Sequence, residues 1–262
     1  MRIVVCVKQV PGLADTPMDE AHGVLVRTGE KKINPYDLTA IETALRIREI
    51  CGGTVCALTM GPEASAQVVR TAMAMGVDEG CMLCDGAFAG ADVLVTAKTL
   101  AAGIAVLGGA DLVICGQQTT DGDTAQVPFS LAVQLGIPSL GWIRALEIFE
   151  DHLICHQELT GRTYTFQTEV PLVLAVESDC FEARSPGLRA KLSAGKKAIT
   201  RLTPADLEDK NPAHYGLKAS PTRVVKLFSP ENVAKQPSLT LTPQETAALL
   251  FKIYRENREE TS

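Results

Sequence analysis

The sequence predicts an α/β fold: a doubly wound, mostly parallel sheet with an extended C-terminal arm. Three observations carry that reading. Over the first 116 residues, short β-branched runs alternate with longer helical patterns: RIVVCVKQ, LTAIETALRIRE, TVCALTM, EASAQVVRTAMAM, GCMLC, ADVLVTAKTLAAGIAVL and DLVICG. The runs at 3–7, 55–59 and 112–115 are continuously apolar rather than alternating, as parallel strands covered on both faces by helices must be. The stretch 209–239, by contrast, is rich in Pro, Lys, Asn and Ser and holds one short apolar run, at 224–228. Strand and helix in strict alternation build a layered sheet with helices on both sides.

Each element follows in chain order. After the first strand comes an insertion, residues 10–33, in which GVLVRTGEKKI reads as a small hairpin turning at Thr28-Gly29 and flanking the mouth of the sheet. Beyond the helix carrying residues 127–135, the segments 140–149, 153–159 and 163–167, with a Thr160-Gly161 turn, resemble antiparallel strands. PLVLAV from Pro171 returns to the buried type. The expected division is a nucleotide-binding α/β domain over residues 1–199 and an arm over 200–262, since a structureless stretch as long as 209–239 is uncommon inside a compact domain. The arm ends in a well-signalled helix: Thr242 as N-cap, Pro243 at the first helical position, Glu245 closing the capping box, and Ala247, Leu250, Ile253 and Tyr254 along one face. Such a helix is expected to lie on a partner. The plainer alternative is a linker whose helix folds back on its own domain.

Composition narrows the function. Of 262 residues, 46% are hydrophobic and 21% charged, enough for one large core. The net charge of −6 is dispersed, with no basic run longer than Lys31-Lys32 and Lys196-Lys197, so nothing favours nucleic acid as a partner. The N-terminus is apolar only over residues 3–7, too short for a signal-peptide core or a membrane span, and the expected location is the cytoplasm. The eight cysteines sit mostly in apolar runs and read as buried thiols rather than a disulfide frame. Cys81 and Cys84 form a Cys-x-x-Cys, but in a strand the odd offset sends them to opposite faces. His152 and His156 would stand about 13 Å apart along a strand, which excludes a shared metal. No Ser-His-Asp or Cys-His set is suggested, and no metal site is expected.

Two segments lie where a doubly wound sheet binds ligands, beyond the carboxyl ends of its strands. In NPYDLTAIE, Asn34 can cap, Pro35 presets the first helical turn and Asp37 offers its carboxylate to exposed amides, which is also what a plain helix start looks like. Directly after DLVICG comes GQQTTDGDTAQV, a polar loop running into a helix whose first turn is read as Thr124-Ala125-Gln126. Free amides there attract phosphate, Gly122 allows close backbone approach, and Thr124 and Gln126 supply donors. Asp121 and Asp123 would repel an anion unless they face away or hold a cation; a metal-binding Asp-x-Asp pair is the rival reading. Neither Gly-x-Gly-x-x-Gly nor Gly-Lys-Ser/Thr is present, so the residues alone indicate a nucleotide-sized site of unknown type.

The strings CVKQVPG, NPYDLTAIETALRIRE, LTMGPEASAQVVRTAMAMGVDEG, AFAGAD, GQQTTDGDTAQV with LGIP, and the stretch 188–199 closely resemble the beta subunit of electron-transfer flavoproteins over nearly the whole chain. The resemblance implies a Rossmann-like, adenine-nucleotide-binding fold. It also implies a pocket formed by Cys6, Val7, Asn34, Pro35, Tyr36, Asp37 and Met60, together with Gly116, Gln118, Asp121, Gly122, Asp123, Thr124, Ala125, Gln126 and Val127 of the loop. Tyr36 and Leu13 would approach a second FAD held mainly by the alpha subunit. A recognition loop anchored by Leu188, with Arg184 and Arg189 on its rim, would dock acyl-CoA dehydrogenase-type flavoenzymes. Ordinary members carry AMP in the pocket and bifurcating members FAD. The tail GLKASPTRVVKLFSP is similar to the longer arm of bifurcating and nitrogen-fixation-type members, which favours FAD, with NADH as electron donor and ferredoxin as low-potential acceptor. No side-chain acid or nucleophile is required, because the flavin carries the chemistry. The chain departs from the family's usual Pro-Arg-Tyr at Ala183-Arg184-Ser185, from its Gly-Lys-Gln at Gln117, and from its acid-Gly-Gly signature at HQELTGRTY. A reading from another class is an adenine-nucleotide sensor or hydrolase with Asp121 and Asp123 on Mg²⁺.

Overall fold

Strands apolar on both faces are stable only in the middle of a sheet, and the computed structural model places the three continuous runs there. The structure describes residues 1–12, 18–19, 24–25, 31–225 and 239–259. Near the N-terminus it has β1 (Arg2–Cys6), β2 (Gln9–Pro11), β3 (Met18–Asp19), β4 (Val24–Leu25), β5 (Lys31–Ile33), α1 (Pro35–Cys51) and β6 (Thr54–Met60). Then follow α2 (Ala66–Met75), β7 (Glu79–Leu83), α3 (Val93–Val106), β8 (Leu112–Gly116), α4 (Val127–Leu135), β9 (Ser139–Ile148), β10 (Leu153–Leu159), β11 (Arg162–Thr168) and β12 (Leu172–Val176). The chain continues through α5 (Leu188–Lys196), β13 (Thr200–Leu202), the single turn α6 (Gly216–Ala219) and α7 (Pro243–Glu259).

Nine strands form one sheet in the order β11-β10-β9-β12-β8-β1-β6-β7-β13. The seven from β9 to β13 in that order are parallel; β10 runs antiparallel to β9, and β11 antiparallel to β10. Of the three strands expected to be antiparallel, β9 is thus also the parallel neighbour of β12. Alternate residues of each run divide between two faces. Ile3, Val5, Ile114 and Leu174 pack with Ile41, Ala44 and Leu45 of α1, whereas Val4, Leu58, Val113 and Val173 pack with Leu100 and Ile104 of α3 and Leu131 of α4. The strand order reverses between β1 and β8: the chain leaves β1 toward α1 on one face and β8 toward α4 on the other. A crevice at that reversal is the expected ligand site of a doubly wound sheet.

The insertion after β1 pairs differently from the expected hairpin. β5 pairs with β2, and β4 with β3, while the Thr28-Gly29 turn and Leu13 lie outside the described residues. The domain boundary also moves. One compact unit spans Met1–Leu227 and the second Phe228–Ser262, so residues 200–225 belong to the first unit rather than to the arm. The reason is side-chain anchoring. β13 adds an edge to β7, Leu207 is buried, and Tyr215 is 1% exposed, edge-on to Phe88 at 5.3 Å with its hydroxyl donating to the Asp209 carbonyl at 2.6 Å. Asp92, which caps α3 through the Val95 amide, also accepts from the Thr222 hydroxyl at 2.8 Å. In the second unit, Thr242 and Glu245 form the capping contacts expected of α7, and Leu250, Phe251 and Ile253 are exposed.

Candidate nucleotide-binding site

At the reversal, three segments are tied together by one buried carboxylate. Asp37, in the first turn of α1, accepts from the Lys8 amide at 2.6 Å and from Asn34 Nδ2 at 2.8 Å, and Gly116 at the end of β8 packs against it. A Cβ at Gly116 would stand 2.6 Å from Asp37 Oδ1 and 2.7 Å from Tyr36 Cβ, so the absence of a side chain there is what lets α1 seat on β8. Burial raises the Asp37 carboxyl from 3.8 to about 7 against the opposing pull of the Asn34 and Lys8 hydrogen bonds. Asp37 therefore joins β1, α1 and β8 rather than capping its own helix. Asn34, expected to cap with its side chain, makes no such bond. Its Nδ2 reaches instead to Asp37 and, at 2.9 Å, to the Gln118 carbonyl.

The loop after β8 folds over this junction. Gln118 Nε2 donates to the Tyr36 hydroxyl at 2.8 Å, and Lys8 Nζ meets Asp121 Oδ1 at 2.7 Å. Burial pushes the Asp121 carboxyl up, but the hydrogen bond and charge of Lys8 outweigh it and hold it below the usual range. Asp121 is thus paired with a lysine, and among the described residues no three His, Cys, Asp or Glu side chains stand close enough to share a metal. Asp123 and Ala125 take left-handed backbone angles, φ 47° and 52°, which side-chain-bearing residues adopt at a cost. Because of them α4 begins at Val127, with Gln126 as N-cap and Pro128 in its first turn, and not at Thr124 as the sequence suggested. Thr124 and Gln126 are exposed, and Val127, Cys6 and Met60 line the α4 side of the sheet around the same crevice. Val7 closes the floor, donating to the Leu58 carbonyl at 2.8 Å.

The structure therefore brings Cys6, Val7, Asn34–Asp37 and Gly116–Asp121 into one constellation, with Met60 beside it. Three buried polar atoms nearby have no partner: Asn34 Oδ1, Thr59 Oγ1 and Gln117 Nε2. Buried polar groups are ordinarily satisfied, so this crevice has the donors and acceptors a nucleotide needs, and its residues fit one. Lys8 was missed from the sequence-predicted set, and Gln117, inside the loop 116–127, was noted only as a departure from the family's usual residue. Gln117, 0% exposed, accepts the Trp142 amide at 2.6 Å and holds Trp142 at φ 51° in an irregularity of β9. The signal for both was position: Gln117 directly follows β8, and Lys8 lies two residues past the end of β1.

The docking set divides. Leu188, at the start of α5, is 75% exposed, with Leu192 exposed one turn further and Arg189 beside it. Arg184 does not sit free on this rim. It donates at 2.7 Å to both Glu42 and Glu49 of α1, and Glu42 also takes the Arg46 guanidinium at 2.8 Å. Burial would raise the Glu42 carboxyl, but hydrogen bonds from Arg184 and Arg46 outweigh it and hold it down at about 2. Arg184 is therefore paired to α1 rather than standing free on the rim.

Sheet order and reversal point together define an α/β protein of the doubly wound, Rossmann-like class. Residues 22–207 match the electron transfer flavoprotein domain. The chain is 41% identical to an electron transfer flavoprotein subunit beta of Thermoanaerobacterium thermosaccharolyticum, over 88% of each chain. It is 37% identical to the caffeyl-CoA reductase-Etf complex subunit CarD of Acetobacterium woodii, also over 88% of each. Its identity to protein FixA of Bradyrhizobium diazoefficiens is 32%, over 96% of this chain and 90% of that one. The chain belongs to the electron transfer flavoprotein family, as a beta subunit, and so has an alpha subunit as partner. Among the described residues no helix is long and apolar enough to cross a membrane.

Proposed function

We propose that the chain holds FAD, rather than AMP, in the crevice between β1 and β8. On this reading it works in the cytoplasm as half of a bifurcating heterodimer, relaying electrons between NADH or ferredoxin and an acyl-CoA dehydrogenase-type flavoenzyme. The observation that carries the reading is likeness over nearly the full length to a subunit named for a caffeyl-CoA reductase-Etf complex, in a chain whose crevice has unpartnered buried polar atoms. FAD held there would supply the chemistry of hydride acceptance from a nicotinamide and one-electron release. The protein's own share is placement. Asn34 Oδ1 and Gln117 Nε2 offer an acceptor and a donor, the first-turn amides of α4 offer positive dipole ends to phosphate, and Asp37 fixes the walls. Exposed Leu188, with Leu192 and Arg189, supplies the apolar anchor for the dehydrogenase, and α7 lies on the alpha subunit.

Acid release of cofactors from the copurified heterodimer tests this. Two FAD per heterodimer is the expected result. One FAD with one AMP would move the protein to the ordinary class, and a colourless complex that cleaves ATP would overturn the assignment in favour of the hydrolase reading.

A further inference from the structure

The loop 116–127 has no Lys or Arg and two carboxylates, Asp121 and Asp123, so a phosphate seated on it must be neutralised from outside the loop. Lys8 reaches it. Its amide is held by Asp37 at 2.6 Å and its carbonyl accepts from the Asn34 amide at 2.9 Å, which anchors the residue at the base of the crevice while its four-carbon stem leaves the ammonium free to swing. In the structure Nζ rests on Asp121 Oδ1 at 2.7 Å, and the Asp121 side chain is only 12% exposed. Next to it is Gly122, where a Cβ would lie 3.9 Å from Lys8 Nζ and 3.4 Å from Thr119 Oγ1. A cation and a hydroxyl thus converge over a residue without a side chain, against a wall where the fully buried Asn34 has an unpartnered Oδ1 and donates to the Gln118 carbonyl.

We propose that Lys8 is the phosphate-binding cation of the crevice and that Asp121 is its internal competitor, so that ligand binding exchanges a carboxylate for a phosphate on Lys8 Nζ. The inference rests on the nucleotide reading of the site and adds a control to it. A plain surface ion pair contributes little and restricts nothing. Here the acidic partner is largely buried and occupies the position an anion would take. The left-handed Asp123 and Ala125 make the loop costly to hold in this shape, which favours its rearrangement when Asp121 is released.

The test uses the full heterodimer stripped of nucleotide, with AMP as probe and adenosine as the phosphate-free control, followed by calorimetric titration. Asp121→Asn should bind AMP about tenfold tighter and Lys8→Gln about tenfold or more weaker, as expected for one charge-assisted hydrogen bond gained or lost. In the Lys8→Gln background the Asp121→Asn gain should shrink below about threefold, while adenosine affinity stays level in all four proteins and reports an intact crevice. Equal gains in both backgrounds would reduce Asp121 to a simple repulsive charge and overturn the proposal alone. Absence of AMP binding by the parent heterodimer, with no nucleotide released by acid, would overturn the site reading and this inference together.

Discussion

Replacing Asp37 by asparagine should change how the stability of the chain depends on pH. The carboxyl titrates at 3.8 when unperturbed and at about 7 in the fold, where Asp37 is 4% exposed. Across that window the native chain holds a proton that the unfolded chain has released, so stability falls as pH rises and levels off above about 7. A gap of about three pH units, at about 1.4 kcal/mol each, is about 4 kcal/mol. The Asp37→Asn variant would have no such slope. Its single acceptor oxygen leaves one of the two donors, the Lys8 amide or Asn34 Nδ2, facing an amide nitrogen, but a neutral Asp37 carries a similar conflict and the offset is about 1–3 kcal/mol at any pH. Relative to wild type, the variant should therefore gain about 4 kcal/mol between pH 4 and pH 8. Urea denaturation of the complex at fixed pH, with hydrogen exchange read on peptides covering β1 and β8, measures this. Parallel stability curves for the two proteins across the window would refute the argument that burial holds a proton on Asp37.

Gly116→Ala would place a Cβ 2.8 Å from the Tyr36 carbonyl carbon; it should cost about 1–3 kcal/mol and leave the purified complex without its beta-site nucleotide, measured by acid release. Arg184→Ala leaves the Glu42 carboxylate, 3% exposed, with Arg46 alone, a loss of about 2–4 kcal/mol. Because the Glu42 carboxyl is depressed from 4.5 to about 2, this contribution is present above about pH 5 and fades as pH falls toward 2, so the gap in denaturation midpoint should narrow in acid. Leu188→Ala should leave the stability within about 0.5 kcal/mol of wild type, since the side chain is 75% exposed, yet slow electron delivery to the dehydrogenase about tenfold or more. Removing residues 228–262 should preserve the first unit and abolish co-elution with the alpha subunit, whereas truncation at 209 would strip out Tyr215 and unfold it.

The parallel core was legible because continuous apolar runs at 3–7, 55–59 and 112–115 have few places to go other than the middle of a sheet. The crevice was legible for the same reason: once β1 and β8 are known, the segments that follow them must border its open end. Residues 200–225 were not. Their anchors, Leu202, Leu207 and Tyr215, occur singly among Pro, Lys, Asn and Asp, with neither a period of two nor of 3.6 to announce burial. The partners of Arg184 were equally hidden, since Glu42 lies 142 positions earlier and only the packing of α1 against the 181–184 segment brings them together.

Asn34 and Asp37 show most sharply where a local signal stops. Both were placed correctly at the head of α1 by their capping chemistry, and a helix start is what they form. Yet the carboxylate that would serve the helix's own amides turns to the amide of Lys8, and the asparagine amide turns to Gln118. A helix N-terminus has other ways to satisfy its amides, including a bound phosphate, whereas a junction of three chain segments has no substitute for a buried acceptor. The side chains went where the unsatisfied cost was larger.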